Sequence, residues 1–173
     1  MRNRARILAT AEDMFARDGL AVSVDDIARR AKIGIGTLYR HFPTKDALVA
    51  AIVIERIGRV AERAEALHDA AEPGPALLGL LEQMVAEGAS KRDFVDALGG
   101  SDWLDTAAAD AIKQRFRRAL AKLLAKAQTT GTIRTDVSAT DLLALVRGVL
   151  ASGADAKVRG KLVGVLLDGL RAS

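Results

Sequence analysis

Cysteine is absent from the 173 residues, which excludes disulfides and thiolate metal sites. There are two histidines, His41 and His68, and they do not stand at metal-ligand spacing. No phosphate loop, zincin pattern or nucleophile elbow is present. Gly34-Ile35-Gly36 is a bare Gly-x-Gly without a strand before it, and His68-Asp69 at a helix end reads as a solvated pair rather than a catalytic dyad. The residues therefore point away from an enzyme, and no cofactor or metal is expected. Apolar runs such as Leu142 to Val146 and Val163 to Leu167 fall far short of the roughly 20 residues that a membrane helix needs. The basic start Met1-Arg2-Asn3-Arg4-Ala5-Arg6 leads to Glu12 and Asp13 instead of an uninterrupted apolar segment, so no signal peptide is expected. A cytoplasmic protein without a membrane partner is the simplest reading. Strand signals are sparse too, with no repeat and no low-complexity tract, so the expected fold is all-α.

What is present is helical periodicity. Hydrophobic residues make up 50% of the chain, enough for a real core in one domain or two small ones. Ile7, Leu8, Ala11, Met14 and Phe15 recur at helical spacing, with Gly19 as a stop. Ser23-Val24-Asp25-Asp26 reads as a cap with an acidic first turn, opening a short helix to about Ala31 that carries Ile27 and Ala28. After Lys32-Ile33-Gly34, a second short helix runs from about Ile35 to Phe42. Pro43 ends it and Thr44 can cap the next helix, expected from about Thr44 to Asp69. That helix carries Leu48, Ile52, Ile54, Val60 and Leu67. Glu72-Pro73-Gly74-Pro75 reads as a break. Further helices are expected at about 76–89, 91–98, 106–129, 139–153 and 156–171, with Ser138 or Thr140 as a cap after the turn Gly131 to Asp136.

Residues 37 to 48 carry the most chemistry. Thr37, Tyr39, Arg40, His41 and Lys45 can all donate hydrogen bonds to phosphate or base edges, while Leu38 and Phe42 share one apolar stripe. Charge agrees. The chain has 26 Lys+Arg against 22 Asp+Glu, a net +4. The first 45 residues hold nine basic side chains against five acidic ones, and the rest hold 17 of each sign. All the excess positive charge thus lies in the first 45 residues, as expected for docking on phosphates.

The string from Ser23-Val24-Asp25-Asp26-Ile27-Ala28 through Gly36-Thr37-Leu38-Tyr39-Arg40-His41-Phe42 to Lys45-Asp46-Ala47-Leu48 closely resembles the tetracycline-repressor (TetR) family of bacterial transcriptional regulators, over about residues 4 to 52. The resemblance implies a three-helix helix-turn-helix DNA-binding head, about residues 1–46, joined to a larger helical effector-binding and dimerisation domain, 47–173. On this reading Ser23, Lys32, Tyr39, His41 and Lys45 hold the phosphate backbone of double-stranded DNA. Ile35, Gly36, Thr37 and Arg40 lie at or near base edges. Two positions depart from the family's habit: Lys32 stands where many members have Gly, and Gly34 where a serine is common. Ile35 puts an apolar group where a polar reader often sits, and what it can offer is contact with a thymine methyl.

The resemblance further implies that the last two helices pair into a four-helix bundle between two subunits. Leu142, Val146, Val149, Leu162, Val163, Leu166 and Leu170 are expected at that interface, with Gly148, Gly160 and Gly164 allowing close approach; the rival reading makes these residues the monomer's own core. A two-fold homodimer would place two recognition helices in successive major grooves of a palindromic operator, roughly 34 Å apart. The middle helices of the family enclose a small effector. The candidates to line such a pocket here are His68, Met84, Phe94, Trp103 and Phe116, and with aromatics at 3% its walls would be mainly aliphatic, favouring an apolar or amphipathic ligand. The function expected is a ligand-released repressor. A regulator controlled by a partner protein and a helical ligand carrier remain open as alternatives.

Overall fold

The structure, a computed structural model, describes residues 2–89 and 106–172. The helix read at 91–98, with Phe94, and the loop carrying Trp103 lie outside the described residues. Eight α-helices are found among those described: α1 (Arg2–Asp18), α2 (Val24–Arg30), α3 (Ile35–His41), α4 (Lys45–Ala66, continued by a 3-10 turn, Leu67–Asp69), α5 (Pro73–Ala89), α6 (Ala107–Thr129), α7 (Ala139–Ala151) and α8 (Ala156–Leu170). Extended pairing among these residues is limited to an isolated antiparallel bridge between Ile133 and Arg171. No helix among them is long and apolar enough to cross a membrane.

Local chemistry accounts for the helix ends. α1 stops at Gly19, whose φ of 71° would strain a residue with a Cβ, and whose N–H donates to Phe15 O at 3.1 Å. Ser23 caps α2, its Oγ accepting the Asp26 N–H at 3.1 Å, and Thr44 Oγ1 accepts the Ala47 N–H at 3.0 Å at the head of α4. One boundary corrects the sequence reading. Pro73 and Pro75 do not hold the chain out of helix until Ala76; they occupy the first turn of α5, where a missing N–H costs nothing because no carbonyl waits for it.

The chain divides into two compact units. Among the described residues the first comprises 2–56 and 106–110, and the second 57–89 and 111–172. The core of the first is built from Ile7, Leu8, Ala11, Met14 and Phe15 of α1, Ile27 and Ala28 of α2, Leu38 of α3, Phe42, and Leu48, Val49 and Ile52 of α4. This is why the first unit runs on past residue 46, where the sequence reading drew its boundary: the first two turns of α4 are part of the head's core, and Arg56 Nε donates to Glu12 Oε1 of α1 at 2.7 Å. α3 contributes a single fully buried side chain, Leu38. Leu38→Ala would cost about 2–5 kcal/mol, comparable with the roughly 5–15 kcal/mol that holds a whole domain together. The second unit's core joins Leu77, Leu80, Leu81 and Val85 of α5 to Leu120, Leu123 and Leu124 of α6, Leu142 and Val146 of α7, and Val163 and Leu170 of α8.

Candidate nucleic-acid interface

α2, the turn at residues 31–34 and α3 form the helix-turn-helix. The turn is closed by the Ala31 N–H on Ile27 O at 2.8 Å and the Ile33 N–H on Ala28 O at 3.1 Å, and it reverses because Lys32 takes a left-handed conformation, φ 53°. That backbone explains why glycine is common at this position in the family the chain resembles. Gly34 opens α3 without a side-chain cap, and its carbonyl accepts the Thr37 N–H at 2.9 Å.

With Leu38 and Phe42 turned into the core, the other residues of α3 are left outside. Ile35, Gly36, Tyr39, Arg40 and His41 are exposed and Thr37 is half-buried. Ile35 and Tyr39, 37% and 47% exposed, are the large apolar side chains left open on this unit among the described residues. No hydrogen bond or ion pair inside the chain engages the side chains of Lys32, Thr37, Tyr39, Arg40 or His41 among those residues. They are therefore available to an external acceptor. Other basic groups of the unit are partly committed: Arg29 pairs with Asp26 at 2.9 Å and Arg17 with Asp13 at 3.3 Å.

Two residues expected on the phosphates have internal duties as well. The Ser23 hydroxyl donates to Asp26 Oδ2 at 2.6 Å while capping α2. The Lys45 ammonium, half-buried, donates to the Leu20 carbonyl and stands 5.7 Å from the centre of the Phe15 ring, leaving at most two of its three N–H groups for a ligand. Sequence reasoning missed Arg4, whose guanidinium lies 5.5 Å over the Phe42 ring at the end of α3. The run of arginines at positions 2, 4 and 6 was the signal for it.

Three of the residues expected around an effector, His68, Met84 and Phe116, lie in the second unit among the described residues. His68 is exposed and offers its carbonyl to Lys126 Nζ at 2.7 Å. Phe116 is part of the core, and Met84 packs half-buried against it. A concavity of about 330 Å³ opens beside the α6–α7 loop, lined by Gln128, Ile133, Arg134, Asp136 and Arg171 among others. Both its arginines are already matched: Arg171 lies 3.6 Å from Asp168, and Arg134 grips Asp136 through two bonds of 2.6 Å, which holds that carboxyl below its usual range.

The residues expected at a subunit interface separate into two faces. Leu142, Val146, Val163 and Leu170 are buried in the chain's own core, a correction to their assignment. Apolar side chains lie on two sides of α7 and α8, one side in the core and the other open. Val149 and Leu166 are half-buried. Leu162 is exposed and is joined by Leu145, Val158 and Val165, the last 73% exposed. Val158, Leu162 and Val165 recur at i, i+4, i+7, so they form one stripe of α8.

Comparison with known proteins bears on both units. Residues 7–52 match the family described as bacterial regulatory proteins, tetR family, and residues 72–172 match the transcriptional regulator SbtR-like, C-terminal domain. The solved structure of the TetR transcription regulatory protein from Mycobacterium vanbaalenii is 43% identical, with 99% of this chain and 96% of that one covered at a TM-score of 0.77. That of the TetR transcriptional regulator SCO0520 from Streptomyces coelicolor is 30% identical, covering 98% and 99% at a TM-score of 0.78. The chain is a TetR-family transcriptional regulator. A further relative, the HTH-type transcriptional repressor Rv3405c of Mycobacterium tuberculosis (strain ATCC 25618 / H37Rv), is 50% identical over 50 residues, and the match spans 27% of its length and 28% of this regulator. The tetR match in this regulator, 7–52, contains the whole α2–turn–α3 segment and the buried face of α1.

Proposed function

We propose that this regulator is a cytoplasmic repressor that binds a palindromic operator as a homodimer and is released by a small, largely apolar effector. The observation that carries the DNA-binding half is the open face of α3. Tyr39, Arg40 and His41 project from a helix anchored by Leu38, on the part of the chain that holds all its excess positive charge. In this reading Lys32, Tyr39, His41 and the uncommitted N–H groups of Lys45 contact phosphates, the Ser23 hydroxyl turns from Asp26 to donate to a phosphate, and Ile35, Gly36, Thr37 and Arg40 face base edges. The apolar stripe of Leu145, Val158, Leu162 and Val165 supports the dimer, because exposed aliphatic side chains gathered on two neighbouring helices are stabilised by a second copy of the same surface. The effector rests on family membership and on the aliphatic interior of the second unit.

Selection of bound duplexes from a random library tests this reading. The expected result is a palindromic consensus with half-sites about one helical turn apart. Absence of any enrichment from a folded, dimeric protein would favour a ligand carrier. With the consensus in hand, a thermal-shift screen of apolar and amphipathic compounds should yield ligands that raise Tm and weaken operator binding; a screen without hits would favour control by a partner protein.

A further inference from the structure

At 100° per residue, the surface of α3 opposite Leu38 and Phe42 has an ordered layout. Ile35 and Tyr39 share one flank, Thr37 and His41 the other, and Gly36 and Arg40 run along the crest between them. Gly36 is the unexplained member. Its backbone is ordinary helix, with no positive φ among the glycines noted for one, and a Cβ built on it meets nothing within 4 Å. Internal packing requires Gly74, where a Cβ would run into the Thr132 side chain, and Gly88, where it would come within 2.7 Å of Leu150 Cδ1, whereas Gly79, Gly148, Gly160, Gly164 and Gly169 share the open surroundings of Gly36. Glycine inside a helix is less stable than alanine, so Gly36 weakens α3 and the folded chain gains nothing from it. What distinguishes Gly36 among these open glycines is its place on the exposed crest of α3, the helix read above as facing the duplex.

We propose that Gly36 is a close-approach residue: its missing side chain lets the crest of α3 reach van der Waals contact with the base edges of the major groove, and at that depth Ile35 meets the 5-methyl group of a thymine. The inference rests on the DNA-binding reading above and adds the chemistry of recognition. The opening turn, Gly34-Ile35-Gly36, carries no hydrogen-bonding side chain, so what it can read is shape and methyl groups. Ile35 is left 37% exposed, and a thymine methyl would cover what remains open.

Binding of the selected duplex, followed by fluorescence anisotropy beside thermal melts, provides the test. Gly36→Ala should raise Tm by roughly 1–4 °C and yet weaken operator binding by about tenfold or more, the cost of forcing an extra carbon into a filled contact. Gly79→Ala on α5, where a Cβ is equally unobstructed, should raise Tm and leave binding unchanged. Replacing each thymine of a half-site by uracil in turn should weaken binding about fourfold at one position, the worth of one buried methyl, and Ile35→Ala should abolish that difference. Gly36→Ala binding the operator as well as the parent protein would overturn close approach. Uracil tolerated at every position would overturn the methyl contact. A parent protein that binds no duplex would overturn the DNA-binding reading itself, and this inference with it.

Discussion

Lys32 is held at φ 53°, the only non-glycine residue with positive φ among those described. An L residue with a side chain loses about 1–2 kcal/mol in that region, and part of this returns as glycine's greater freedom in the unfolded chain. Lys32→Gly should therefore stabilise the protein by up to about 1 kcal/mol in a thermal melt. It should also lower the slope of log K against log salt by roughly one, since a phosphate contact goes with the ammonium. A stability gain without any change in slope would remove Lys32 from the interface. Lys45 differs, because its ammonium bonds the Leu20 carbonyl and faces the Phe15 ring. Lys45→Ala should lower Tm and weaken binding to all duplexes about equally, without altering sequence preference. The sequence offered a lysine for a phosphate at both positions. It did not reveal the left-handed turn or the internal bond, because both depend on where the backbone of another segment comes to lie.

Helix ends were largely legible one element at a time. Ser23, Thr44 and Ser138 cap the helices that their positions implied, and the buried residues read from the period of α1, Ile7, Leu8, Ala11, Met14 and Phe15, are the ones found in the core. α5 was less legible, since a Pro-Gly-Pro run signals both a break and a first turn, and only the helix that follows decides between them. α7 begins with a reciprocal capping box in which Asp141 Oδ2 accepts the Ser138 N–H at 2.8 Å and the hydroxyl at 2.7 Å. Bonds from the Ser138 hydroxyl and then its N–H hold the Asp141 carboxyl below its ordinary range. A carboxyl depressed on folding contributes stability that is present above its unfolded value and is lost as pH falls through the folded one. The gap in Tm between the parent protein and Asp141→Ala should be widest near neutral pH and close as pH drops below about 4. A gap that stays constant down to strong acid would show that the carboxylate charge plays no part in the cap.

For the molecule as a whole, the decisive division is between the two faces of α7 and α8, and composition alone could not draw it. Both faces are rich in Leu and Val; burial separates Leu142, Val146, Val163 and Leu170 from the open Leu145, Val158, Leu162 and Val165. Val165→Glu should leave Tm of the isolated chain nearly unchanged and convert a dimer to monomer in sedimentation, because a carboxylate would be stranded in an apolar contact. Val163→Ala should lower Tm and leave the oligomeric state as it was. A Val165→Glu protein that remains dimeric would place the interface elsewhere. The central claim, a two-fold reader of DNA sequence, is tested most directly by titrating the selected operator and a scrambled duplex of equal length and composition at one fixed salt concentration. The expected outcome is two chains per operator and a preference over the scrambled duplex of about a thousandfold or more. Equal affinity for the two duplexes would contradict it.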